Sequence, residues 1–204
     1  MTQYTGKFIS LEGMDGAGKS THIPTIIQLL EARGVEVVST REPGGTKLGE
    51  QLRELLLHAP MHPETEALLM FAARREHIAE VILPALMRGA YVLTDRFTDA
   101  TYAYQCGAKG VASHKILQLE EWVQAGLQPD LTLLFDVPAM VSLQRLSTAR
   151  TPDKFEREGV DFFEKLRNSY LERAKQFPQR FCVIDANQSL EKVKVLVSEI
   201  IATI

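Results

Sequence analysis

An α/β fold is predicted, with a five-stranded, mostly parallel sheet covered by helices on both faces to give three layers. Three observations predict it. Short apolar runs alternate along the chain with longer segments of helical spacing, the runs are apolar on both sides, and no repeat or linker divides the 204 residues. Strands without a polar side suit a parallel sheet buried on both faces. A chain that is 45% hydrophobic at this length supports one core, so residues 1–204 are read as a single domain.

The elements follow in order. "KFISLE" is the first strand, and the glycine-rich stretch Gly13 to Ser20 then leads into a helix. Pro24 falls about a turn into that helix, where it removes an internal hydrogen bond and predicts a kink. "VEVVST", "YVLTD", "LTLLFDV" and "FCVID" are the other strands, while Pro63 to Met87 and Leu190 to Ile204 carry apolar residues at helical spacing. The polar stretch "TARTPDKFEREG", residues 148–159, is the least helical of the connecting segments and is read as a mobile loop.

Charge and cysteine content narrow the partners. With 23 basic against 26 acidic residues, the net charge of -3 gives no global attraction for nucleic acid or an anionic membrane, so any anionic ligand is held locally. Cys106 and Cys182 are too few for a disulfide scaffold, and the sequence has neither signal-peptide features nor an 18-residue apolar run. A cytoplasmic protein is expected.

"GMDGAGKS" fits the phosphate-loop pattern G-x-x-x-x-G-K-[ST] between a strand and a helix. Its glycines let backbone amides curl around phosphate, Lys19 reaches the outer phosphates, and Ser20 can ligate Mg²⁺. The phosphate-binding stretch is Gly13, Met14, Asp15, Gly16, Ala17, Gly18, Lys19, Ser20 and Thr21. Arg41 in "TREPGGT" and Arg96 in "DRF" each follow a strand, and ligands of open α/β sheets bind beyond the carboxyl ends of strands. Two phosphorylated molecules could therefore be held together. No Asn-Lys-x-Asp stretch marks a guanine-reading switch. A phosphate-loop ATPase or regulatory nucleotide module is the competing class.

"FISLEGMDGAGKST", "TREPGGT", "LLMFAARREH", "LTDRF" with "YAYQCG", and "DKFEREGVDFFEKLRNSYLERA" occur in that order. Together they make the chain resemble the thymidylate kinases, within the nucleoside monophosphate kinase group of phosphate-loop proteins. The resemblance spans nearly the whole length and implies a P-loop NTPase fold. It further implies transfer of the terminal phosphoryl group of MgATP to dTMP, with dTDP serving dTTP synthesis, in a homodimer.

The resemblance also suggests roles for side chains. It associates Asp15 with the sugar and phosphate of the acceptor, and Arg41 and Arg96 with acceptor phosphate. Phe71 and Arg75, four apart on one helix face, are expected to stack on the base and donate to it, with Arg74 as the competing arginine. Thr101 and Gln105 meet the pyrimidine edge, and Tyr104 lies against the sugar, too close for a 2'-hydroxyl. Asp95 either partners a Mg²⁺-bound water, orders Arg96 or caps a helix. Members resembling the yeast and human enzymes carry a loop arginine where this chain has Gly16. The enterobacterial kind supplies lid residues instead, which makes Arg150 and Lys154, with Arg157 behind them, candidate catalytic groups alongside Lys19 and Arg96. His22, His58, His62, His77 and His114 show no metal-ligand spacing and are read as surface or packing residues.

Overall fold

The computed structural model describes residues 4–147, 154–155 and 158–204. Strands β1 (Phe8–Glu12), β2 (Val37–Arg41), β3 (Tyr91–Asp95), β4 (Leu131–Asp136) and β5 (Phe181–Asp185) form one sheet in the order β2-β3-β1-β4-β5. All four pairings are parallel, so the sheet expected to be mostly parallel is wholly so among the described residues. Every residue of the central β1 is buried.

Alternation along β1 divides the core in two. Ile9 and Leu11 enter one apolar cluster with Ile26 and Leu30 of α1 (Lys19–Glu31), Phe163 and Leu166 of α8 (Val160–Gln176), and Val193 and Val197 of α9 (Leu190–Ile201). Phe8 enters the other cluster with Phe71 of α3 (Pro63–His77), Leu86 of α4 (Leu83–Met87) and Ile116 of α6 (Ser113–Gln124). Helices thus cover both faces, as strands apolar on both sides require. The long segment Pro63 to Met87 is α3 continued through a π-helical stretch, Ile78–Ile82, into α4. Helix α1 stays helical across Pro24, whose missing N–H leaves the carbonyl of exposed Ser20 to water.

A buried polar network joins the layers. Asp99 of α5 (Thr98–Thr101) accepts from Arg173 Nε at 2.8 Å and from Arg180 Nη1 at 2.7 Å. Arg180 also donates to Thr132 Oγ1 at 2.7 Å, and that hydroxyl bonds Ser10 Oγ at 3.0 Å. Two guanidinium groups satisfy one carboxylate, the arrangement that makes a buried charge tolerable.

Because the strands are parallel, their carboxyl ends share one edge of the sheet. Each ends in a charged residue: Glu12, Arg41, Asp95, Asp136 and Asp185. The phosphate loop leaves β1 at this edge. Helices α2 (Lys47–His58) and α7 (Ala139–Ser147) flank it.

Candidate active site

The loop from Gly13 to Ser20 joins the end of β1 to the first turn of α1. Gly13 has φ 131°, and a Cβ there would lie 2.5 Å from the Phe135 carbonyl oxygen. Gly16 has φ 78°, and its Cβ would meet the Ser142 carbonyl oxygen at 2.7 Å. No side chain, an arginine included, fits position 16 on this backbone. Ser142 Oγ donates to the carbonyl of Asp15, and Arg145 donates to the carbonyls of Gly16 at 3.3 Å and Ala186 at 3.2 Å. Helix α7 therefore braces the loop against the end of β5.

Lys19 is buried and donates to the carbonyls of Gly13 at 2.9 Å and Met14 at 3.1 Å, which holds its ammonium inside the curl. Burial, then the charge of Arg96, lowers its pKa from the usual lysine value. The side chains of Met14 and Ala17 point into the core, so only their backbone can serve a ligand. Ser20 and Thr21 are exposed at the start of α1, where free amides and the helix dipole favour anions.

Across the cleft, Arg96 Nη2 meets Asp15 Oδ1 at 2.9 Å. Tyr104, in the π-helical stretch Tyr102–Ala108, accepts from Arg96 Nη2 at 2.9 Å and donates to Asp15 Oδ2 at 3.0 Å. Burial would raise the Asp15 pKa, but Arg96 and then Lys19 outweigh it and hold the carboxyl well below the usual range. Burial likewise opposes the charge on Arg96, and Asp15, the largest opposing influence, leaves its pKa well above the ordinary value. Arg96 has φ 72°, a left-handed conformation that costs a non-glycine residue ~1–3 kcal/mol and is kept here by Arg96 N donating to Leu11 O at 2.9 Å. Beneath it Glu12 accepts from Phe97 N at 2.7 Å, and its pKa is raised to about 8 by burial and then by Asp99.

On the side of the cleft expected to meet the base, the structure departs from the sequence expectation by one position along α3. Arg74, not Arg75, faces the cleft, with Met70 a turn before it. Phe71 is 1% exposed and turns into the core, where its ring lies 4.7 Å from the Arg74 guanidinium carbon. Arg75 is exposed and lines a separate cavity beside Tyr4 and Trp122. Four-residue spacing holds for both pairs. The apolar stripe that α3 and the π-helical stretch after it must bury, Ala67, Phe71 and Ile78, rotates Phe71 inward and takes Arg75 away from the cleft.

Arg74 is tightly held. Nε donates to Glu42 at 2.7 Å, Nη2 donates to Thr101 Oγ1 at 2.9 Å, and the Phe97 ring lies 5.0 Å away on another side. His77, fully buried, bonds Glu42 at 2.9 Å and Thr40 at 2.7 Å. It packs as expected for a histidine outside metal chemistry, and it braces the arginine's partner as well. Arg74 Nη1 and Gln105 Oε1 are buried without a hydrogen-bond partner among the described residues, and both side chains line the cleft.

The remaining candidates lie apart from this centre or at its rim. Arg41 pairs with Glu50 at 2.8 Å and shares a shallow wall with Asp95, whose Oδ1 is buried and unpartnered among the described residues. Lys154 reaches neither Lys19 nor the loop; it pairs with Glu66 at 2.8 Å and donates to Ala59 O at 3.2 Å. Arg150 and Arg157 lie outside the described residues.

Besides Glu42 and Phe97, the cleft residues that escaped the sequence reading include Met70 and Arg53. Met70 was hidden by the helix phase. Arg53 lines the cleft from α2 and donates to Pro43 O at 2.9 Å, and its pKa is lowered by burial and then by Arg41. It lies on the inward stripe of α2 with Gly49 and Leu56, an arginine among residues that otherwise pack, and that placement was a readable signal.

Comparison with known proteins gives one answer. The thymidylate kinase family model matches residues 11–197. A thymidylate kinase of Methylobacillus flagellatus is 66% identical over 195 residues, covering 96% of each chain. One from Cupriavidus metallidurans is 64% identical over 199 residues, covering 98% of this chain and 99% of its own. The crystal structure of an Ehrlichia chaffeensis thymidylate kinase superposes with a TM-score of 0.78 at 35% identity, over 96% of this chain and 98% of that one. With the phosphate loop, the Asp15–Arg96 pair and the Arg74 cleft on one sheet edge, the chain belongs to the thymidylate kinase family.

Proposed function

We propose that this cleft transfers the terminal phosphoryl group of MgATP directly to the phosphate of dTMP. One observation carries the base assignment: beside Arg96, whose Nε is likewise buried and unpartnered, the cleft is lined by a buried donor, Arg74 Nη1, and a buried acceptor, Gln105 Oε1, that have no hydrogen-bond partner among the described residues. Thymine offers the complement, O4 as acceptor and N3–H as donor. Cytosine offers the reverse at both positions.

The chemistry asks for alignment and charge neutralisation rather than a covalent intermediate. Lys19 follows the phosphoryl group from the loop side. Arg96, fixed by Asp15, faces the acceptor phosphate, and Asp15 Oδ atoms can also receive the 3'-hydroxyl. Tyr104, held on two sides through its own hydroxyl, closes the space beside the sugar against a 2'-hydroxyl. Arg53 adds a third positive charge to that wall.

Mg²⁺ fits the oxygen donors present: exposed Ser20 Oγ directly and the free Asp95 Oδ1 through water. No cluster of three or more acidic, histidine or cysteine side chains exists among the described residues. That suits a cation that keeps waters and takes its other ligands from phosphates. Bound there, it neutralises charge on the donor phosphates.

We further infer a homodimer and a cytoplasmic location. Family resemblance supports the dimer, as do exposed Leu55, Leu68 and Leu117 on α2, α3 and α6. No helix among the described residues is long and apolar enough to cross a membrane. The test of function is ADP release measured with dTMP, dUMP, dCMP and dGMP in turn. Release that depends on dTMP is expected; turnover indifferent to it would favour a phosphate-loop ATPase.

A further inference from the structure

Glu66 lies on the same stripe of α3 as Met70 and Arg74, four residues apart in each step, yet its side chain is fully buried at the back of the cleft wall. Three donors converge on it. Gln105 Nε2 donates to Oε1 at 2.7 Å, Lys109 Nζ lies 2.9 Å from both oxygens, and Lys154 Nζ lies 2.8 Å from Oε2. The Phe155 ring packs beneath both ammonium groups, 4.3 Å from Lys109 and 4.9 Å from Lys154. The cluster is a built unit.

Its consequence runs through the amide. An amide has a donating end and an accepting end, and turning it over exchanges them. A carboxylate facing two ammonium groups only accepts, so the Gln105 NH₂ must point to Glu66, which leaves Oε1 as the amide end without a partner among the described residues, on a side chain that lines the cleft. We propose that Glu66 is a specificity-determining positioning residue, which locks the Gln105 amide so that the cleft accepts the N3–H of thymine and refuses the N3 lone pair of cytosine. This rests on the dTMP reading above. Without the lock, the amide can present its NH₂ to the base instead, and the site loses its preference at that one position. Arg74 Nη1 still opposes the cytosine amino group, so relaxed selectivity comes mostly from poorer dTMP use.

The experiment measures kcat and KM for dTMP and dCMP with saturating MgATP in wild type, E66Q, E66D and Q105A, with circular dichroism and thermal melts to monitor folding. E66Q substitutes an amide that can also donate. E66D keeps the charge facing both lysines but withdraws it from Gln105 by one methylene. The dTMP-to-dCMP ratio of kcat/KM should fall about 5- to 30-fold in E66Q and less in E66D, with KM for dTMP rising and kcat within about 3-fold. If E66Q does not fold, E66D decides. A role limited to ion pairing lowers the melting temperature and leaves the ratio unchanged. An unchanged ratio in the folded Glu66 variants, beside a changed one in Q105A, overturns the lock and spares the base assignment. An unchanged ratio in Q105A overturns the base assignment and the lock with it.

Discussion

Asp15 and Arg96 form an ion pair at 2.9 Å that ties the phosphate loop to the end of β3, and Tyr104 bonds both partners. A carboxylate inside a phosphate loop thereby has a partner: it holds the Arg96 guanidinium in place, and in the proposed reaction that cation meets the acceptor phosphate. The left-handed backbone of Arg96 turns its side chain toward the loop.

Substituting Asp15 by asparagine keeps the shape and removes the charge. D15N should lower kcat/KM for dTMP about 10- to 100-fold, ~1.5–3 kcal/mol for a charge-assisted bond. ATP affinity by calorimetric titration should change little. An ATP affinity that falls as far as dTMP use would move Asp15 to the donor side.

Among the described residues, Lys19 donates only to carbonyls of its own loop, so its removal should spare the fold. K19A should lower kcat by ~100-fold or more, because the lost charge acts on the phosphoryl group in transit. Near-normal turnover in a folded K19A protein would remove Lys19 from the mechanism.

On α3, R74A should weaken dTMP binding by ~1.5–3 kcal/mol while leaving ATP binding close to normal. R75A, exposed on another face, should match wild type for both nucleotides. Titrations with each nucleotide decide it, and the opposite ranking would restore the phase expected from sequence.

Fold and donor loop were legible in the sequence because their signals are local. Five apolar runs became five strands, and the glycine positions of the loop have the positive φ values that their residue type permits. Recognition of the base was less legible. Phe71 and Arg75 satisfy the same four-residue spacing as Met70 and Arg74, and only packing against Phe8 and Ile78 chooses between two faces separated by about 100°. Lys154 belongs to the same class. Its partner, Glu66, is 88 residues away (154 − 66), and nothing local in the lid sequence points to it.

Glu12 provides a test of the electrostatics beneath the site. Its carboxyl is buried between the backbone amide of Phe97, which one oxygen accepts from, and an environment in which its other oxygen has no partner among the described residues. Burial and then Asp99 raise its pKa from 4.5 to about 8, against the lesser pull of Arg96 and Lys19. In the unfolded chain the group loses its proton near pH 4.5, whereas the folded protein keeps it until about pH 8. Over that window the folded state binds the extra proton, so the contribution of Glu12 to stability is full below the window, declines as pH rises through it, and stays at its minimum above. E12Q does not titrate and can still accept from Phe97 N. Its stability relative to wild type, from urea melts between about pH 5 and 9, should therefore climb with pH by no more than ~1.4 kcal/mol per unit and level off above about pH 8. Titrations unconnected with Glu12 cancel in that difference. Two stability curves that stay parallel across the range would mean that Glu12 is already ionised in the folded protein, with Arg96 and Lys19 outweighing burial.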